Sequence, residues 1–406
     1  MIASACRSRV VLGIALLGAA IACRGQSPRQ AEAVVLQQLV DSLRGRVEQA
    51  AKLSFRTPPR SALRSRAQVR QYLLAKLDQE LPPQRMRGLE SAYRLFGLLP
   101  DTLELRGLLL DLYAEQVAGY YDPDSAMLFG VAGAGRDELR LVLAHEMVHA
   151  LQGEYLPLDS ILKATANNDR LTAAQAVLEG QATLASIEVL APGRHVTETP
   201  QFWEMYRDQV REKQSLMPVF ARAPLVVREA LIFPYLDGAE FMYWWNTAGP
   251  RDTMPYGRRM PVSTEQILHP DRYARGDEPV ALAFAADSGV MYEDVLGENE
   301  VRVLLASLAK SDEVGAVTPL GWGGDRFRVY DAPGGPALVW YVVWDDQRAA
   351  DRFARTVGQT LGRTKRTGYR AQFDTITVEG RPAVRYVLAP GEWRRWGALP
   401  AVSVGK

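Results

Sequence analysis

The stretch Leu139–Gly153, LRLVLAHEMVHALQG, decides how the rest of the chain is read. In an α-helix each residue advances about 100°, so positions four apart differ by roughly 40° around the axis. His145 and His149 therefore share one face, one turn apart. Leu139, Val142, Leu143 and Ala150 supply an apolar face on which such a helix is buried. The spacing lets two imidazoles meet one tetrahedral zinc ion at about 2.0–2.1 Å. Glu146 follows the first histidine. It can reach water on the metal without ligating it, and so can act as a general base.

Two histidines leave a catalytic zinc one protein ligand short. The metzincin continuation needs Gly at 152 and His at 155, and Gln152 and Tyr155 exclude it. The other solution is a glutamate from a later helix. AVLEGQATLAS, Ala176–Ser186, offers Glu179, with Gly180 removing a side chain beside it. A charged carboxylate in so apolar and alanine-rich a helix is costly unless paired or metal-bound. The plain alternative is a solvated helix glutamate. Glu188, near a helix end, and Glu154, close in sequence to the histidines, are the other acids to weigh.

The chain has 406 residues, 47% hydrophobic and 23% charged, as expected of a globular protein with two or three domains. A net charge of +1 gives no bulk field to attract nucleic acid. The first residues have the order of an export signal: Arg7 and Arg9, an apolar run Val10–Ile21 too short for a comfortable membrane span, then small residues before Cys23. AAIAC resembles the lipobox of bacterial lipoproteins, with Ala20 where leucine is usual. That resemblance implies cleavage before Cys23, lipidation of its sulfur and attachment to a membrane of the cell envelope. An ordinary secretory signal or an uncleaved anchor are the alternatives. Cys6 and Cys23 are the only cysteines, so a chain cleaved there holds no internal disulfide.

Apolar periodicity predicts helices over Gln30–Leu53, Ser65–Glu80, Gln84–Leu98 and Leu103–Val117. Ala126–Val131 reads as a strand just before the histidine helix, where zinc peptidases bind substrate by strand addition; it can equally be a strand that only packs. Asp137 is the expected N-cap of the histidine helix. Thr172 and Gln175 form a capping box for the next, which runs to Leu190. Phe202–Ser215 and Val226–Trp245 are further helices. Beyond about residue 305 the period changes to a small β-β-α-β-β unit, with hairpins at DAPGGP and EGRP. The fold class is thus α+β.

HEMVHALQ followed by EGQAT resembles the gluzincin class of zinc metallopeptidases. More closely, the chain from about residue 110 is similar to a group of bacterial secreted or lipid-anchored proteins. The shared segments are GYYDP, FPYLDGAEF (Phe233–Phe241), STEQILHP (Ser263–Pro270) and GWGGDRF (Gly321–Phe327). With the pass along the chain, this gives a leader over 1–22, a tether and first helix over 23–60, a mostly helical domain over 61–305 that the resemblance makes a zincin-like peptidase, and a C-terminal α/β domain over 306–406. It implies one zinc on His145, His149 and Glu179, a peptide or protein substrate, and Glu146 as the base. Thermolysin-like relatives carry Asp four residues after the ligand glutamate; Thr183 stands there, so another group must orient a zinc histidine. An oxyanion donor is also needed. His269, left at a helix end by Pro270, is the first choice, ahead of Tyr235 and His195, although a histidine so placed can also be only a C-terminal cap. Trp322 in GWGGDRF reads as core rather than a ligand platform. The rival reading is a non-catalytic envelope lipoprotein, stabilised by metal and acting through protein binding.

Overall fold

Periodic apolar stretches, broken by proline and glycine, give a helical body with three small sheets in the computed structural model, which describes residues 28–158, 161, 167–199, 201–250, 253–361 and 366–405. The expected leader and Cys23 lie outside the described residues. No described helix is long and apolar enough to cross a membrane. The chain opens with α1 (Pro28–Ala51), β1 (Arg60–Arg64), α2 (Arg66–Glu80), α3 (Pro83–Phe96) and α4 (Leu105–Gln116). Next come β2 (Gly119–Asp122), β3 (Met127–Val131), α5 (Arg136–Tyr155) and α6 (Asn168–Leu190). Then follow α7 (Phe202–Ser215), α8 (Pro218–Arg222), α9 (Leu225–Thr247), α10 (Thr264–Leu268) and α11 (Pro270–Ala274). The remainder is β4 (Leu282–Phe284), β5 (Val290–Asp294), α12 (Gly297–Ala309), α13 (Asp312–Val317), β6 (Trp322–Tyr330), β7 (Ala337–Trp344), α14 (Gln347–Gln359), β8 (Tyr369–Val378), β9 (Arg381–Pro390) and β10 (Val402–Val404). The architecture is α+β.

Two helix starts differ from expectation. Gly135, not Asp137, stands at the cap of α5; Asp137 sits in the first turn, where its charge still meets the helix dipole. α6 begins four residues before Thr172, because the Asn167 side chain accepts from the Arg170 amide at 2.9 Å and supplies the cap itself.

α6 is buried on nearly all sides, as its alanine-rich composition requires. Ala182, Ala185 and Val189 join a core with α1 and α5, while Ala173, Ala176, Val177 and Leu184 face α9. At that second contact the backbones touch. A Cβ on Gly180 would run into the backbone of Gly238, and one on Gly238 into the carbonyl of Ala176.

β3 is the middle strand of the first sheet, parallel to β1 and antiparallel to β2. It therefore has no free edge for an added strand; the open edge beside α5 belongs to β2. Tyr120 pairs across to Phe129, so by antiparallel alternation Gly119 and Tyr121 turn their backbone groups outward.

The C-terminal sheet has the order β5-β6-β7-β9-β8 and is antiparallel throughout. The β-β-α-β-β unit is present, but β5 extends it from ahead of residue 305. Nor is its core separate: the Phe96 ring of α3 meets Trp340 of β7 edge-on at 5.1 Å, and Trp322, Phe327 and Phe353 belong to the same cluster. Trp322 is fully buried, in keeping with a core role.

Buried carboxyls tie this sheet to the start of α6. Asp325 accepts from the Leu296 and Gly297 amides and the Trp340 indole at 3.0, 2.9 and 2.9 Å. Asp294 accepts from the Asn168 amide at 2.7 Å, Glu300 from its side chain at 2.7 Å, and Asp169 from the Thr264 amide at 2.9 Å. Burial, opposed by these hydrogen bonds, pushes Asp325 up to about 6, Asp169 to about 7 and Glu300 to about 8.

Two outcomes follow for stability. Gly238→Ala forces α6 and α9 apart and should cost about 3 kcal/mol or more. Gly45→Ala, on α1 with open space around it, should be neutral or slightly stabilising. Chemical denaturation of both variants checks this, and a Gly238→Ala chain as stable as the parent would refute the close crossing. The raised carboxyls hold their protons more tightly in the folded state. The stability they give is complete below the usual carboxyl range and drains as pH rises through their folded values. The metal-free chain should therefore have a lower denaturation midpoint at about pH 8.5 than at about pH 5.5, with a smaller difference in Asp169→Asn.

Candidate metal centre

Helical spacing on α5 sets His145 and His149 side by side, and α6 brings Glu179 against them. His145 Nε2 stands 3.0 Å and His149 Nε2 3.2 Å from Glu179 Oε2, and the two nitrogens are 3.1 Å apart. A tetrahedron with bonds of about 2.0–2.1 Å has edges of about 3.3 Å, so this triangle is close to one face of a zinc coordination shell. Each side chain retains some exposure, 15% for the histidines and 25% for Glu179.

The hydrogen-bond pattern calls for a cation at the centre of the triangle. Gln152 is fully buried, and its amide nitrogen donates to Leu178 O and Gln181 Oε1 at 2.9 and 2.8 Å. Its oxygen must then face His149 Nδ1, 2.8 Å away, and accept from it. Neutral His149 consequently points a bare Nε2 lone pair at a carboxylate. A proton or a metal ion on that nitrogen removes the conflict. In the metal-free site burial opposes protonation, but the charge and hydrogen bond of Glu179, with the charge of Glu146, lift His149 to about 10. Burial works against the Glu179 anion, yet the two histidines hold its carboxyl well below the usual range. Two imidazoles and a carboxylate are also the donor types that zinc takes.

Glu146 is not part of the triangle. Its Oε2 accepts from the Tyr121 amide of β2 at 2.9 Å, and burial raises its pKa despite both histidines. Tyr235 of α9 stacks on His145 with ring centroids 5.6 Å apart. The negative charge of Glu179, then burial, then Glu146, push its phenol well above its ordinary value. The hydroxyl stays a proton donor, and 38% of the residue remains exposed, so it walls the site without closing it.

The other residues singled out in the sequence lie elsewhere. Glu154 accepts from the Arg56 and Thr57 amides at 2.6 and 3.0 Å, and Glu188 stands nine residues along α6 from Glu179. His195 pairs with Glu198 at 3.1 Å in an exposed turn. His269 ends α10, as Pro270 led one to expect, but binds Glu298 at 2.9 Å. Asp169, which holds Thr264 of α10, precedes Glu179 by ten residues, about 15 Å along α6. The structure therefore does not bring His269 to the triangle. Thr183 is buried and its hydroxyl has no partner among the described residues, so Gln152 does the orienting. Gln152 lies three residues after His149, on the same helical face, and that spacing was a legible signal.

Residues 286–392 match a family model described as a domain of unknown function (DUF8575), a match that takes in β5 through β9. No curated protein matches the chain. A crystal structure from Chloroflexus aurantiacus, described as a candidate hydrolase with a novel fold, is similar at 18% identity and a TM-score of 0.42. The alignment covers 62% of this chain and 92% of that one. A likeness of that order carries no argument about this site.

The geometry leads to a metal-binding outcome independent of activity. The chain should bind one zinc ion, and Glu179→Ala should bind it far more weakly. Gln152→Leu should lower affinity by about 10–100-fold, the usual effect of removing a group that orients a ligand histidine. With His149 at about 10, binding near neutral pH should displace a proton. Calorimetry in two buffers of different ionisation enthalpy measures that proton. Unchanged affinity in Glu179→Ala would remove it from the ligand set.

Proposed function

We propose that the chain is a zinc-dependent peptidase of gluzincin type, exported and held at the bacterial cell envelope through a lipidated Cys23. The observation that carries the reading is the convergence of His145, His149 and Glu179 on one point, with a non-ligating carboxylate, Glu146, beside them. Zinc held by these three residues would polarise a scissile carbonyl and lower the pKa of water to about 7.

The chain's own groups divide the remaining work. Tyr121 holds Glu146 Oε2, which leaves the other oxygen to take a proton from the attacking water and deliver it to the leaving amine. Burial raises the Glu146 pKa and makes it a stronger base. The Tyr235 hydroxyl, a protonated donor beside Glu179, fits the oxyanion role first assigned to His269. The outward backbone groups of Gly119 and Tyr121 O suit an extended peptide laid along β2.

Glu146→Gln keeps size and shape and removes the proton acceptor. Zinc content and melting temperature should hold, while hydrolysis of a peptide library falls by at least about 10²-fold. Tyr235→Phe should lower kcat by about 10²–10³-fold with little change in KM. Parent activity should vanish with a chelator and return with zinc. If the zinc-loaded parent cleaves nothing in the library or an envelope extract, or Glu146→Gln is as active, the reading of a metal-stabilised binding lipoprotein replaces this one.

A further inference from the structure

A cavity of about 610 Å³ lies between α7, α9, α12 and α13, and nothing in the metal site uses it. Its walls carry five cationic side chains and three acidic ones. Two of the acids are neutralised in place: Arg211 holds Glu229 at 2.7 Å, and Arg207 holds Asp237 at 3.0 Å. The third, Asp312, is exposed in the first turn of α13. Arg228, Arg302 and Lys310 remain, and among the described residues no carboxylate pairs with any of them. The buried Nε of Arg228 has no acceptor.

Two further observations point to a ligand. Asn299 lines the cavity, and its side-chain amide makes no hydrogen bond to another described residue, so it is free to donate to an incoming acceptor. Asn299 and Arg302 stand three residues apart on α12, and Lys310 caps its C-terminus, so all three line the same cavity. Lys310 itself holds φ +53°, a left-handed conformation in which glycine is the usual residue.

We infer that this cavity binds an oxyanion, a carboxylate or phosphate group, through Arg228, Arg302, Lys310 and the Asn299 amide. Arginine and amide donors suit the oxygen acceptors of either group, and with Asp312 set against the three unpaired cations the lining still carries an excess of positive charge. The site does not depend on the metal reading, because its residues neither touch the triangle nor require an ion.

The test uses the full, metal-free chain, so that neither probe is drawn to zinc. Inorganic phosphate and glutarate are titrated separately by calorimetry, with chloride as control. Saturable binding of one probe or both is expected, weakened at least about tenfold in Arg302→Gln and in Arg228→Gln, each with an unchanged circular dichroism spectrum. Phosphate binding alone would assign a phosphorylated ligand, and glutarate binding alone a carboxylate. The inference fails if neither probe saturates, or if both variants bind as the parent does. Zinc affinity, measured alongside, should be the same in the variants as in the parent.

Discussion

The contact on which the site depends is the crossing of α6 and α9 at Gly180 and Gly238. Glu179 immediately precedes the first glycine, and Tyr235 stands three residues before the second. With backbone against backbone, no side chain intervenes whose rotamer could alter the separation. The height of the carboxylate and the distance of the phenol are therefore set by main chain. Glycine inside a helix costs about 1 kcal/mol relative to alanine. Here that cost is offset by the burial of α6 between α9 on one side and α1 and α5 on the other. A helix less completely buried would have less to set against two such residues.

Orientation of the histidines rests on neutral groups. Gln152 sits where a carboxylate would also satisfy His149 Nδ1. A carboxylate there would raise the basicity of the ring. An amide fixes the tautomer without adding charge, and its own direction is fixed by Leu178 O and by Gln181, which the Tyr256 hydroxyl also contacts. Because Leu178 and Gln181 flank Glu179 on α6, the groups that orient one ligand belong to the helix that supplies another. A shift of α6 along its axis would disturb two of the three side chains of the triangle together.

What the sequence disclosed follows from the range of each interaction. His145, His149 and Glu146 are related by one helical turn, and turn geometry is local. Glu179 was legible because a charge in an alanine-rich helix needs a partner. Gln152 obeyed the same local rule but was read only for the pattern that it excluded. Local sequence left the roles of His269 and of the strand before α5 open between two readings, because both depend on packing between distant segments. Glu298, which occupies His269, lies twenty-nine residues on. Whether β3 has a free edge depends on β1, more than sixty residues earlier. The start of the C-terminal unit was placed only approximately near residue 305, because β5 joins it through pairing with β6, a contact between segments that the local sequence does not carry.

That boundary bears on what the C-terminal sheet does. Asp325 of β6 holds the first amides of α12, and a side chain on Gly297 of that helix would strike Asp169 at the start of α6. Asp294 of β5 reaches the Asn168 amide directly. The sheet thus grips the end of the helix whose middle carries Glu179. A helix is stiff along its axis, so fixing Asn168 and Asp169 fixes the carboxylate about 15 Å away. The aromatic contacts of Phe96 with Phe327 and Trp340 extend the same grip to α3. In this arrangement the sheet is a scaffold for the histidine–glutamate triangle rather than an appended module. Any ligand that moved β5 or β6 would act on the site through the position of α6.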